Sequence, residues 1–374
     1  MENNLMENLR TLTAMLETKK SYSLNMTIGL DGFVDEIIQV VDKRQDFENF
    51  TTIKTIKEYG ARISNAAGLS TNLEMVSVQT KLGGNGPILS NALLTYGVNL
   101  TYIGAIGVPS IHPVFEEMAS KSKAVYSLAN PGHTHALEFD DGKIIMGKLN
   151  PLMNITWEHF KFALGGISGV ASIFDQCHLF GMQNWTMLPH MSHIWQGITE
   201  EVFPLLPNLS EKPFAFFDLA DPQKRTVEDI IYAMRLISKF EDKFRTILGL
   251  NEKELYQVSA ALDIHCSSLE DTALALYSTL GIYCVVVHPV KNACCVVDGK
   301  FYYTDGPFCQ TPKLTTGAGD NFNAGFCLGQ ALGLDPLLSI TLGVCTSGFY
   351  VRNAKSPTFD EVMDFAQCWS KSRL

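Results

Sequence analysis

One stretch decides how this chain is interpreted, Thr315-Thr316-Gly317-Ala318-Gly319-Asp320-Asn321-Phe322-Asn323-Ala324-Gly325-Phe326. Two glycines flank an alanine directly before an acid and a predicted helix start. The first N–H groups of a helix lack partners and carry partial positive charge, so the amides of Gly317, Ala318 and Gly319 can bind one anion. Asp320 is open to two interpretations: it complements the helix dipole, or it is a general base beside a bound phosphate.

The composition is that of a globular protein with a large core. The chain has 374 residues, of which 46% are hydrophobic and 18% charged. A formal net charge of -10 argues against nucleic acid or a membrane as partner, because both favour a basic surface. We expect no secretory signal, since the first residues lack a basic region followed by an apolar run. The nine cysteines include no Cys-x-x-Cys pair, which argues against a zinc site or a disulfide scaffold and favours a cytoplasmic location.

The start of the chain predicts a helix and then a strand that ends in acids. Four leucines lie at helical spacing and predict an amphipathic helical extension over residues 1–24: Leu5, Leu9, Leu12 and Leu16. The apolar run at 26–30 predicts a first strand, which Asp31 and Asp35 follow. Ligands of α/β folds bind at the carboxyl ends of strands, so both acids are candidate binding residues. The alternative is a plain turn at Asp31 and an exposed strand position at Asp35.

Two other helix starts carry polar residues. In Gly83-Gly84-Asn85-Gly86-Pro87, Asn85 could be a helix N-cap, but paired glycines also let a ligand approach the backbone closely. Asn251 and Glu254 have the spacing of a capping box, which by itself explains them as a helix start.

The remaining pattern indicates an α/β fold with a separate hairpin. Asp140-Asp141-Gly142 joins two strand-like runs within 134–149, which is a strong hairpin signal. Residues 42–80 are polar and mixed, with a short helical pattern at 53–59. From about residue 150, apolar runs alternate with helical segments, which favours a parallel sheet. Further strands are predicted at 173–181, 213–219, 244–248 and 281–287.

These motifs, in this order, resemble the signatures of the ribokinase-like (PfkB-type) carbohydrate kinases. The resemblance implies an α/β fold: a mostly parallel central sheet with helices on both faces and a small β-sheet lid. The kinase domain would span residues 25–374, with lid strands near 36–42 and 134–149. Such lids cover the sugar site and in relatives can form a homodimer.

The resemblance also implies roles for individual residues. Asp320 would be the catalytic base, and Gly317, Ala318 and Gly319 the anion hole. The expected sugar-binding residues are Asp35, then Asp31, together with Gly83, Gly84 and Asn85. Asn251 and Glu254 would organise Mg²⁺ and the ATP phosphates, partly through water, with no direct protein ligand set assigned to the metal.

The expected activity is ATP-dependent phosphorylation of a hydroxymethyl group on a sugar or sugar-like small molecule. Two positions depart from the family. Leu314 replaces an Asp that helps to bind a monovalent cation in potassium-activated members, and His288 stands where most relatives have Thr-x-Gly beside the nucleotide. Potassium dependence and the nucleotide donor therefore stay open. Two alternatives remain: a nucleoside kinase of the same fold, and a sugar-binding regulator that has lost turnover.

Overall fold

The computed structural model of the chain describes residues 2–19 and 23–372. Its helices are α1 Glu2–Thr18, α2 Ile56–Asn65, α3 Asn85–Thr95, α4 Glu116–Lys121, α5 Trp157–Ala163, α6 Ile167–Asp175, α7 Met191–Gly197, α8 Val227–Phe240, α9 Glu252–Ala261, α10 Leu269–Leu280, α11 Ala318–Ala331, α12 Pro336–Asn353 and α13 Phe359–Ser370. Its strands are β1 Asn25–Leu30, β2 Phe33–Arg44, β3 Phe50–Thr52, β4 Met75–Gly83, β5 Asn99–Gly104, β6 Ala124–Ser127, β7 Gly132–Phe139, β8 Gly142–Lys148, β9 Leu179–Met182, β10 Phe214–Asp218, β11 Arg245–Leu250, β12 Cys284–Val287, β13 Asn292–Val297 and β14 Lys300–Asp305.

A large, mostly parallel sheet forms the centre of the described chain. Its strand order is β14-β13-β12-β11-β10-β9-β1-β5-β6. The strands from β12 to β6 run parallel, and the β13–β14 hairpin extends that edge in the antiparallel direction. The carboxyl ends of the parallel strands therefore meet along one edge, where α/β folds bind ligands.

Helices cover both faces of this sheet. Along β12, Val285 and Val287 belong to one hydrophobic core, while Cys284 and Val286 belong to the other. The first core packs against α5 to α10, and the second against α1, α3, α4 and α11 to α13. Strands buried on both faces have continuous apolar sequences, and this is why the pattern after residue 150 predicts a parallel sheet. The predicted fold class is confirmed.

The N-terminal helix packs onto the main body. Leu9, Leu12 and Leu16 are buried in the same core as α12 and α13. Residues 1 and 20–22 of the predicted extension lie outside the described residues, and its boundary at residue 24 stays a prediction. Among the described helices, none combines the length and apolar character needed to cross a membrane.

A second, smaller sheet forms the lid. β7 and β8 make the predicted hairpin, and β2 pairs with β7, β3 and β4. One lid face packs on α2 through a small core that includes Ile38, Ile53 and Leu137. β2 contains the lid strand expected near 36–42, and β7 and β8 together cover most of the range 134–149.

One sequence prediction is wrong in detail, and one segment contains strands that its sequence does not predict. Residues 173–181 are not one strand, because α6 continues to Asp175 and β9 begins at Leu179; Phe174 is apolar because it belongs to the buried face of α6. The polar segment 42–80 contains β3, α2 and all but the last three residues of β4. Most of β4 is exposed and a β-bulge shifts its register, so the strand lacks a regular apolar alternation.

Candidate active site

Asp320 lies in the first turn of α11, with the predicted anion-binding amides just before it. The helix begins after Gly317, whose φ of 89° is in the left-handed region that favours glycine. In the described chain, the amides of Gly317 and Gly319 donate to no other protein group, whereas Ala318 N–H donates to the Thr315 carbonyl at 3.1 Å. Two of the three amides are thus free to bind an anion. The Ala318 amide could bind the same anion only if its hydrogen bond to the Thr315 carbonyl breaks.

A chain of hydrogen bonds connects Asp320 to Asp31. Asn85 Nδ2 donates to Asp320 Oδ1 at 3.0 Å, and the backbone N–H of Asn85 donates to Asp31 Oδ2 at 2.9 Å. Asp31 Oδ1 accepts from Gly86 N–H at 2.8 Å, and Oδ2 also accepts from Asn184 Nδ2 at 2.7 Å. Asp31 is fully enclosed, so its geometry suits positioning of the Asn85 loop.

This geometry decides between the two interpretations of Asn85. α3 begins after Gly84, which occupies the N-cap position with φ of 95°. Asn85 is therefore the first helical residue and cannot cap its own helix. The capping interpretation is wrong, because the side chain of Asn85 is directed across the cleft to Asp320.

The paired glycines are required because two carboxylates lie against them. A Cβ atom on Gly83 would lie 2.2 Å from the Asp35 carboxyl carbon, and one on Gly84 would lie 2.8 Å from Asp31 Oδ2. Either contact is too short for a real side chain. With both acids in these positions, only glycine fits in the loop. The approach of a ligand to this backbone, which the paired glycines suggest, stays a prediction.

Asp35 lies on the lid side of the same loop. Its cross-strand neighbours are Lys81 on β4 and Thr134 on β7. Burial raises the pKa of Asp35, while Lys81, Thr134 and Lys143 act in the opposite direction. Asp35 and Asp31 therefore stand on either side of the Gly83–Gly84 backbone, with Asp35 nearer to the lid lysines.

The predicted capping box is present at the start of α9. Asn251 Oδ1 accepts from Glu254 N–H at 2.9 Å, and Glu254 Oε2 accepts from Asn251 N–H at 2.9 Å. Glu254 Oε1 also accepts from Asp221 N–H at 2.8 Å. Backbone amides thus hold both carboxylate oxygens. The capping role is confirmed, and the role toward Mg²⁺ and nucleotide stays a prediction.

Asp320 and three other buried carboxylates concentrate negative charge in the cleft. Burial raises the pKa of Asp31 to about 6 and is also the largest cause of the raised pKa of Glu254. The pKa of Asp218 is raised well above its ordinary value by burial and then by Glu254 and Asp320. The pKa of Asp320 is likewise raised by burial and then by Asp31 and Glu254. Such strongly perturbed acids in a cleft are typical of a functional site.

A cavity of about 470 Å³ lies beside the first turn of α11. Its lining is largely apolar and includes Val290, Phe308 and Phe322. His288 lies at its inner end: a Cβ on Gly319 would lie 3.1 Å from His288 Cε1, and the His288 and Phe322 ring centroids are 5.1 Å apart. Burial lowers the pKa of His288 to about 4, so the ring is neutral at pH 7. The cavity suits a planar, largely apolar ligand group such as a nucleobase.

Sequence reasoning missed Gln183 and Asn184, which follow β9 at the carboxyl edge of the sheet. Asn184 has a left-handed backbone with φ of 63° and binds Asp31. Gln183 is fully buried, and neither of its side-chain amide atoms has a protein partner. A polar pair directly after a buried strand is the sequence signal that marks these two residues.

Comparison with known proteins agrees with this architecture. A solved ribokinase from Thermotoga maritima superposes with a TM-score of 0.63 over 92% of this chain and 99% of that one, at 16% identity. The ribokinase of Arabidopsis thaliana, solved in complex with ribose and ATP, gives a TM-score of 0.63 over 92% of this chain and 98% of that one, at 15% identity. The fold and the site together define the class, a ribokinase-like carbohydrate kinase.

Within that class, the chain belongs to the prokaryotic ketohexokinase family, whose model matches residues 11–369. A ketohexokinase of Haloferax volcanii is 26% identical over 340 residues, which cover 90% of this chain and 89% of that one. The predicted family and the prediction of a carbohydrate kinase are confirmed.

Proposed function

We propose that this kinase transfers the γ-phosphoryl group of ATP to a hydroxymethyl group of a ketohexose or a closely related sugar. The observation that carries the proposal is the Asn85–Asp320 hydrogen bond, which ties the Gly83–Gly84 loop to an acid at an anion-binding helix start. The family and its Haloferax volcanii relative support a ketohexose as acceptor.

In the proposed reaction, the sugar binds between Asp35 and Asn85, with its reacting hydroxyl beside Asp320. Asp320 accepts the hydroxyl proton as the sugar oxygen bonds to the γ-phosphorus, and the bond from that phosphorus to the bridging oxygen of ADP breaks. The amides of Gly317, Ala318 and Gly319 stabilise the charge on the group in transfer. Because the pKa of Asp320 is raised, it is a stronger base than an ordinary carboxylate.

The residues around Asp218 and Glu254 fit a magnesium ion. The buried carboxylates of Asp218 and Glu254 repel each other, and a nearby cation would relieve that repulsion. Within residues 2–19 and 23–372, no three His, Cys, Asp or Glu side chains converge on a metal-binding arrangement. Mg²⁺ commonly keeps water and substrate phosphates as ligands, so Asn251 and Glu254 would hold it largely through water. When bound, it neutralises phosphate charge.

The test is ADP release by the purified protein with ketohexoses, aldohexoses, pentoses and nucleosides as acceptors. Asp320→Asn should lower kcat by about 10²–10⁴-fold, the usual contribution of a general base, with nucleotide affinity little changed. Near-normal turnover in that variant would remove Asp320 from the base role. A strong preference for nucleosides as acceptors would instead identify the protein as a nucleoside kinase of the same fold. Because His288 departs from the family beside the nucleotide, parallel assays with other nucleoside triphosphates test which one is the donor. Because Leu314 replaces the family's Asp, assays with and without potassium test whether the enzyme depends on that ion.

A further inference from the structure

Lys143 brings a positive charge from the lid to the anion site. It lies near the start of β8, and its Nζ donates to the Thr316 hydroxyl. Thr316 directly precedes Gly317, where the anion site begins. On the other side, the Tyr350 hydroxyl donates to the Thr316 carbonyl at 2.8 Å. The lid and the body therefore meet at the residue that leads into α11.

The ammonium of Lys143 is held only by a neutral group. Within residues 2–19 and 23–372, every ion pair between a lysine and a carboxylate is formed by a lysine other than Lys143. Its charge nevertheless reaches Asp35, whose pKa it lowers. Lys143 thus lies between the proposed sugar side of the cleft and the anion site, on a long and exposed side chain that can change partner without breaking an ion pair.

Positive charge is scarce around the proposed base. Asp320 and Asp218 are opposed mainly by hydrogen bonds, from Asn85 and from the Ala220 amide respectively. A phosphoryl group in transfer spreads negative charge over three equatorial oxygens, and kinases stabilise that charge with cations and N–H donors. The α11 amides approach this group from the body side. The lid side is where an additional cation would be most effective.

We propose that Lys143 is a further catalytic residue, whose ammonium leaves the Thr316 hydroxyl when substrates bind and contacts an equatorial oxygen of the transferred phosphoryl group. This inference rests on the proposed function. The lysine forms no covalent bond and transfers no proton; it stabilises the charge that develops opposite the α11 amides. Lid closure would then complete the charge-stabilising site as well as exclude water.

The test measures kcat and KM for Lys143→Met, Lys143→Arg and Thr316→Val. Loss of one donor to developing charge costs about 10²–10³-fold, and we expect Lys143→Met to lower kcat by about 10²-fold, since the side chain is exposed. The KM for the sugar should change little. Lys143→Arg should recover most of the loss, because it keeps the charge. Lys148→Met is the matched control on the same strand and should behave like the wild type.

Thr316→Val separates a catalytic role from a purely structural one. It removes the hydroxyl that holds Lys143 while leaving the ammonium in place, so kcat should stay near that of the wild type. If Thr316→Val lost as much activity as Lys143→Met, the contact would serve to position the anion loop, and the proposal would be overturned. Wild-type kcat in Lys143→Met would also overturn it. If the wild type itself phosphorylated no sugar, the proposed function would fail instead.

Discussion

Gly83 is a position where one added carbon atom should impair sugar binding. Its Cβ in a Gly83→Ala variant would lie 2.2 Å from the Asp35 carboxyl carbon, so Asp35 or the loop must move. If Asp35 binds the sugar, we expect the KM for the sugar to rise by about tenfold or more, a loss of about 1.4 kcal/mol. Steady-state kinetics with the preferred ketohexose measure this change.

Gly60→Ala is the control for that substitution. Gly60 lies within α2, and a Cβ there would meet no atom within 4 Å. Replacing an unhindered helical glycine by alanine typically stabilises a protein by about 0.5–1 kcal/mol, so this variant should unfold at a higher temperature with an unchanged KM. An unchanged KM in Gly83→Ala would count against Asp35 as a sugar-binding residue.

The site residues that the sequence reveals are those with a local signature. Glycines before a helix start mark Gly317–Gly319 and Gly83–Gly84, and capping-box spacing marks Asn251 and Glu254. Lys143 has no local signature, because its importance depends on a contact with Thr316, 173 positions further along the chain. Only the folded lid brings these two side chains together.

The same holds for secondary-structure elements: those with a local sequence signature can be predicted, and those that depend on long-range contacts cannot. The lid contains both kinds. Its β7–β8 hairpin is predictable because Asp141-Gly142 provides the turn chemistry that such a hairpin needs. β4 is not predictable, because its pairing partners on β2 are distant in sequence and its side chains are mostly exposed. A strand that is stabilised by long-range pairing has little pattern of its own.

The lid face opposite the one that packs on α2 is the basis for a proposed homodimer. Cross-strand pairing aligns Ile37, Ala136 and Ile145 on this face, and 58% of Ile145 is exposed. We propose that the lid of a second copy covers these residues. Ile145→Asp should then shift sedimentation velocity from dimer to monomer, because it places a charge in an apolar contact. Phe162→Asp, at an 84% exposed position on α5, is the control. A wild type that sediments as a monomer at micromolar concentration would contradict this proposal.

Over the whole molecule, the buried acids of the site should lower stability as pH rises. The folded state raises the pKa of Asp31 from 3.8 to about 6, so between these values it binds more protons than the unfolded state, and up to about 3 kcal/mol of stability is lost. His288 acts in the opposite direction: its pKa falls from 6.5 to about 4, so its contribution grows with pH over that range. The two largely offset each other below pH 6. Asp218 and Asp320, whose pKa values are also raised, add to the loss of stability as pH rises.

Asp218→Asn tests whether the buried negative charge of the site lowers the free energy of unfolding. Asp218 accepts from Asn323 Nδ2 at 2.9 Å, and Asn323 Oδ1 is buried without a partner, so a flipped Asn323 amide could accept from the new Asn. The variant should differ least from the wild type at low pH, because the raised pKa of Asp218 favours its protonated form there. It should become increasingly more stable than the wild type as pH rises, because the wild type must then ionise a buried acid beside Glu254 and Asp320. Urea unfolding at pH 5 and 9, without Mg²⁺ or nucleotide, measures the difference. A gain independent of pH would show that packing, and not buried charge, sets the stability at Asp218.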